Sequence, residues 1–87
     1  MNSVESEIMD IAQEECAEIV QAISKVRRFG LMTEHKGKTN QAHLEEEIGD
    51  LQCMIGLMVE KGMVDPVAIL EAKERKLMKL KQWSNIV

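Results

Sequence analysis

Two pairs of acidic residues carry the clearest chemistry in this sequence. Glu15 and Glu18 form one pair, and Glu47 and Asp50 form the other, each with a spacing of three residues. On a helix this spacing puts both side chains on the same face, about one turn apart. Two such pairs that face each other would form a cage of carboxylate oxygens, the ligands that hard cations such as Mg²⁺ and Mn²⁺ prefer. The pattern therefore predicts a site for a phosphate-bound metal ion.

The acids also lie on the apolar sides of the predicted helices. With about 100° per residue, Glu15 projects within roughly 20° of Ile8 in an apolar stripe, and Glu18 lies at the edge of that stripe. The same arithmetic places Glu47 and Asp50 among apolar residues of a second helix. Because burial of an isolated carboxylate is costly, such groups become protonated, pair with a cation or bind a metal. A purely structural alternative is that Lys or Arg side chains pair with these acids across the bundle.

Helical periodicity begins near the N-terminus. Apolar residues recur at steps of three and four from Ser3, which is the predicted N-cap, up to Gly30. The stretch 32–40 is polar and loses this periodicity, so it is predicted to be a connection. Thr39 or Asn40 is expected to cap the helix that follows.

Two further helices complete the predicted fold. The second ends at Gly62, and the third begins with Asp65 as N-cap and Pro66 in the first turn and runs to about Trp83. Helix-favouring residues dominate the composition, and aromatic residues are few. We expect an all-α chain that folds as an antiparallel bundle of three main helices and is completed by oligomerisation.

Composition limits what such a chain can do. The 87 residues suffice for one domain, 1–87. A net charge of −4 argues against nucleic-acid backbones as partners, and no apolar run is long enough for a membrane span. Cys16 and Cys53 fall in helical patterns and are predicted to be reduced, half-buried thiols rather than a disulfide. We therefore expect a soluble protein of the cytoplasm.

The acidic motifs resemble those of a known family. Glu14-Glu15-Cys16-Ala17-Glu18, followed later by Glu47-Ile48-Gly49-Asp50, is similar to the EExxE and ExxD signature of MazG-like all-α nucleoside triphosphate pyrophosphohydrolases. The residues around the two motifs resemble the short, phage-type members of that group. The similarity extends over roughly residues 7 to 62.

This resemblance implies a reaction. A Mg²⁺-dependent enzyme of this kind hydrolyses a ribo- or deoxynucleoside triphosphate between the α and β phosphates, which yields a monophosphate and pyrophosphate; Mn²⁺ is a possible substitute metal. The metal-ligand positions of the family fall on Glu15, Glu18, Glu47 and Asp50.

Three further residues, Glu14, Lys73 and His43, could act at or near the metal site or have a purely structural role. Glu14 belongs to the motif but projects about 100° from Glu15, so we assign it to positioning a water molecule, or else to a solvated surface. Lys73 matches a family lysine that contacts the triphosphate; a salt bridge from Lys73 to Glu15 or Glu47 is the alternative. His43 is expected to be a surface or capping residue.

The remaining cations have simpler explanations. Lys25, Arg27 and Arg28 end the first helix, where positive charge suits the helix dipole. Lys36 and Lys38 lie in the polar connection and could fold over bound phosphates, although a solvated loop is the simpler interpretation. The family often carries an Asn and an Arg further along this helix, whereas this chain offers Lys76, Lys79 and Lys81 and no clear Asn until Asn85, which leaves its contacts to base and phosphate open.

Glycines on the second helix suggest how chains assemble. Gly49 and Gly56 lie on one side of it, away from the acids, and close approach of another helix would explain them. We expect a homodimer or a homotetramer in which a neighbour partly completes each site. The alternatives in function are a non-catalytic helical interaction or regulatory module and a pyrophosphohydrolase of another nucleotide-like substrate.

Overall fold

The computed structural model describes all 87 residues and is all-α, as predicted. Helix α1 covers Ser3–Phe29, α2 covers Asn40–Glu60 and α3 covers Pro66–Trp83. Between α1 and α2 lies a short antiparallel hairpin of β1, Glu34–His35, and β2, Lys38–Thr39. None of the helices is long and apolar enough to cross a bilayer.

The N-cap of α1 is Asn2, so the prediction of Ser3 was wrong by one residue. The Asn2 side chain accepts a hydrogen bond from the backbone N–H of Glu5 at 2.8 Å. The Glu5 carboxylate accepts one in return from the backbone N–H of Asn2 at 3.1 Å, which completes a capping box. Asn2 is favoured over Ser3 because an acidic residue, Glu5, lies three positions after Asn2 and completes the capping box.

Helices α1 and α2 pack against each other as an antiparallel pair and form the core. Ile8 and Ala12 near the start of α1 pack against Met54 in the second half of α2. At the other end the side-chain amide of Asn40 donates to the Gly30 carbonyl at 2.9 Å. The packing fixes which residues of α1 and α2 face each other along their whole length.

The connection contains a hairpin that the sequence did not predict. His35 pairs with Lys38, so the turn consists of Lys36 and Gly37, both with positive φ, +54° and +79°. A tight two-residue turn of this kind suits glycine at its second position. Thr39 caps α2 as expected, because its hydroxyl oxygen accepts from the backbone N–H of Ala42 at 3.0 Å.

Helix α3 begins as predicted but buries no residue. Asp65 accepts a hydrogen bond from the backbone N–H of Val67 at 2.9 Å, and Pro66 occupies the first turn. Leu70 and Leu77 nevertheless remain 54% and 44% exposed. Only six residues of the whole chain are buried, and the molecule is flat, measuring 41 × 37 × 14 Å.

The capping box makes a direct test of how α1 begins. We expect Asn2→Ala to lower the free energy of unfolding by about 1 kcal/mol, because an N–H in the first turn loses its acceptor. Ser3→Ala is the matched control and should change it by less than about 0.5 kcal/mol. Urea denaturation at one fixed protein concentration measures both variants, and a larger loss for Ser3→Ala would contradict this assignment.

Candidate metal centre

Three of the four predicted ligands meet between α1 and α2. One carboxylate oxygen from each of Glu15, Glu18 and Glu47 lies within 4.8 Å of the others. Ala12 and Ala22, on either side of the α1 acids, are buried. The acid-bearing stretch of α1 is therefore held against the first half of α2.

Asp50 lies close to this carboxylate cluster of Glu15, Glu18 and Glu47 without being part of its tightest group. Its negative charge raises the pKa of both Glu15 and Glu47. The side chain is exposed, as is that of Glu18, whereas Glu15 is half-buried. The cluster thus has a closed side, formed by Glu15 and Glu47, and an open side toward solvent.

Glu47 is the most buried acid of the chain, with 5% of its surface exposed. One of its carboxylate oxygens, Oε2, is buried without any hydrogen-bond partner, and so is Oε2 of Glu15. Buried polar atoms in folded proteins are nearly always hydrogen-bonded, so each unpaired one needs an explanation. Two such oxygens at one place are the strongest sign that the site binds a ligand.

Mutual repulsion and burial change the acidity of the cluster. The pKa of Glu47 is raised to about 7, first because its protonated carboxyl shares a hydrogen bond with Glu18, then because burial disfavours the charge and Glu18, Glu15 and Asp50 repel it. The pKa of Glu15 is raised as well, mainly by burial and next by the charge of Asp50. Both carboxylates are therefore held in an environment that disfavours their negative charge.

No lysine or arginine forms an ion pair with these acids. The chain has one lysine–carboxylate ion pair, Lys38 with Glu46 on the surface, and one close histidine–carboxylate contact, in which Nε2 of His43 and Oε1 of Glu47 are 3.3 Å apart. The structural alternative, in which Lys or Arg compensates the acids, is therefore not found within the chain. His43 contacts the cluster instead, a contact that its spacing of four residues from Glu47 could have indicated.

The two other predicted catalytic residues lie outside the cluster. Glu14 is exposed and lines a shallow groove of α1 with Asp10, although its charge still acts on Glu15. Lys73, expected to project toward the core that holds the acids, lies on the exposed α3 among the leucines of that helix. It is not among the charges that shift the pKa of Glu15 or Glu47.

The remaining singled-out residues fall at the surface. Arg28 lies over the ring of Phe29, with its guanidinium carbon 5.1 Å from the ring centre. Cys16 and Cys53 form no disulfide, but both are exposed, so the prediction that they are half-buried was wrong. Gly49 and Gly56 are open, since an added Cβ at either would meet nothing within 4 Å.

The donor set fits a hard cation. It consists of carboxylate oxygens only, two of them buried and unpartnered, with an open side where water or phosphate oxygens could complete the coordination. In three comparisons, no known family, curated protein or solved structure matched the chain. The case for the site therefore depends on its geometry and on the motif.

The raised pKa of Glu47 predicts how stability depends on pH without metal. Because the folded chain holds this proton up to about pH 7, against a usual pKa of 4.5, the stability it contributes is present below pH 4.5 and lost as the pH rises through 7. In EDTA, the melting temperature should fall by several degrees between pH 5 and pH 8, and Glu47→Gln should flatten this fall.

The control for the pH series is Glu45→Gln, an exposed acid on the same helix. It should retain the pH dependence of the unaltered chain, and saturating Mg²⁺ should raise the melting temperature of both at pH 8 but not that of Glu47→Gln. A melting temperature that rises steadily with pH in EDTA would show that Glu47 is an ordinary carboxylate.

Proposed function

We propose that this chain is a Mg²⁺-dependent pyrophosphohydrolase of nucleoside triphosphates, of the MazG-like kind. The observation that carries the proposal is the cluster of Glu15, Glu18 and Glu47, which has two buried carboxylate oxygens without partners and no Lys or Arg to neutralise it. Such a cluster is costly in a folded protein unless a cation completes it. The motif similarity supports the reaction, and the geometry supports the metal.

The proposed roles follow from the burial of each acid. Glu15, Glu18 and Glu47 supply the oxygens that would hold Mg²⁺, and Asp50 supplies a fourth carboxylate on the open side. Bound Mg²⁺ would neutralise the triphosphate and lower the pKa of a water molecule that attacks phosphorus. Glu14, which is exposed and next to Glu15, keeps its oxygens free to accept a hydrogen bond from such a water or to take its proton.

Assembly enters this proposal because α3 has no partner. Leu70, Leu77 and Leu80 line one side of α3 together with Lys73, and that side is largely exposed. In a homodimer or homotetramer this leucine side would pack on a second copy, and Lys73 would be available to the phosphates bound at a neighbour's acids. A cytoplasmic location, where nucleoside triphosphates and Mg²⁺ are abundant, belongs to the same proposal.

Turnover is the decisive test. Purified protein is incubated with each common NTP and dNTP plus Mg²⁺, with and without EDTA, and the products are resolved by chromatography. We expect a monophosphate and pyrophosphate, lost in EDTA. Glu18→Gln should lower kcat/KM on the order of 100-fold or more, because the metal site loses a ligand at its open side.

The matched control for turnover is Glu45→Gln, which removes the same charge from the surface of α2 and should retain activity within about twofold. Diphosphate and orthophosphate as products would mean that a different bond is cleaved. Absence of turnover with both Mg²⁺ and Mn²⁺ would favour the alternative of a non-catalytic helical module.

The oligomeric state is a separate prediction. Light scattering at micromolar concentration should give a dimer or a tetramer, and Leu70→Gln combined with Leu77→Gln should shift it toward monomer, because the apolar side of α3 is lost. Lys79→Gln, on the same helix, is the control and should leave the mass unchanged. A monomer for the unaltered chain would remove the role proposed for Lys73 across subunits.

A further inference from the structure

A pocket lined by basic side chains lies beside the carboxylate cluster. We call it the hairpin pocket; its volume is about 270 Å³, and it is lined by Lys25, His35, Lys36, Lys38, Asn40 and His43. These residues come from the last turns of α1, the β-hairpin and the first turn of α2. No acidic side chain lines it, although the whole chain carries a net charge of −4.

The positive charge of the hairpin pocket is only partly compensated. Lys38 forms an ion pair with Glu46, whereas Lys25 and Lys36 have no ion-pair partner. Helix α2 begins at Asn40, which lines this pocket, and the partial positive charge of a helix N-terminus favours anions. The pocket therefore combines two free lysines, two imidazoles and a helix terminus.

Lys36 holds its place in the hairpin at a cost in backbone energy. Its φ of +54° lies in the left-handed region, which costs a residue with a Cβ roughly 1 to 2 kcal/mol. Asn or Gly would fit this position of the turn with less strain. A lysine that adopts an unfavourable backbone conformation and lines a pocket of like charge is better explained by a bound anion than by folding.

His43 joins the pocket to the carboxylate cluster. It lines the hairpin pocket, and its Nε2 is also 3.3 Å from Oε1 of Glu47. The two regions therefore adjoin at His43, so a polyphosphate that occupied both would extend from the acids past His43 into the pocket. At about 270 Å³ the pocket lies below the roughly 300 to 1,000 Å³ of sites that enclose a drug-sized ligand, so it suits one end of a nucleotide.

We propose that the hairpin pocket binds the terminal diphosphate of the nucleotide and retains it as pyrophosphate after cleavage, with Lys25 and Lys36 as its principal contacts. The identity of the complete ligand rests on the proposed function, but the affinity for a diphosphate anion does not. Lys36 and Lys25 are positioned to hold the phosphate groups by charge-assisted hydrogen bonds, which are stronger than neutral ones.

The test uses pyrophosphate itself as the probe. Its binding to the full chain is measured by titration calorimetry at pH 7 and low salt, in EDTA so that no metal contributes. Lys36→Asn and Lys25→Gln should each raise the Kd for pyrophosphate by roughly tenfold, since each removes one charged contact. Lys79→Gln, which removes the same charge from α3, should change the Kd by less than about twofold.

The Lys36→Asn variant distinguishes a loss of pyrophosphate binding from a loss of folding. Lys36→Asn should keep or raise the melting temperature, because Asn accepts the left-handed conformation more easily than Lys, so weaker binding by this variant cannot be ascribed to unfolding. No pyrophosphate binding by the unaltered chain, or equal weakening in all three variants, would overturn the proposal. Absent turnover with pyrophosphate binding intact would instead count against the proposed function alone.

Discussion

Repulsion among the carboxylates between α1 and α2 is the constraint to which the rest of this structure responds. The two helices can bury Ile8, Ala12 and Met54 only in a register that also brings Glu15, Glu18 and Glu47 together. A shift of one helix that separated the acids would also uncover the core. Stability and the candidate site therefore depend on the same contact, and whatever neutralises the acids also stabilises the helix pair.

The chain by itself neutralises these acids only in part. It can protonate Glu47 near neutral pH and place His43 beside it, but no lysine or arginine forms an ion pair with these acids. Its free lysines lie instead in the hairpin pocket, on the far side of His43. An acidic and a basic region side by side match a cation bound to a polyphosphate, which presents positive charge to the acids and negative charge to the lysines.

The exposure of helix α3 is related to a different constraint, the small size of the chain. A domain of this length buries too little surface to be more than marginally stable, and here the core involves mainly α1 and α2. The exposed leucines of α3 and the open glycine side of α2 are apolar or small surfaces with no partner in one chain. Assembly of several chains remains a prediction, and these are the surfaces it would use.

Local rules predicted the helix ends well. The caps at Thr39 and Asp65 follow from side chains that bind their own backbone within three residues, so neighbouring sequence was sufficient. The prediction of Ser3 as N-cap failed because Asn2 can cap as well, and the reciprocal bond of Glu5 favours Asn2. The hairpin was missed because two-residue strands carry no periodic signal.

The sequence by itself determined the three helices, the apolar surroundings of Glu15 and Glu47 and the nature of the donor atoms, because helical periodicity and residue type are local properties; Glu18 and Asp50, predicted among or beside apolar residues, are exposed. Tertiary structure alone decided which acids meet, that no lysine forms an ion pair with them, and that Lys25 and Lys36 line one pocket. Those facts depend on the register of α1 against α2 and on the path of the hairpin. Both arise from packing between residues far apart in the chain, which periodicity cannot describe.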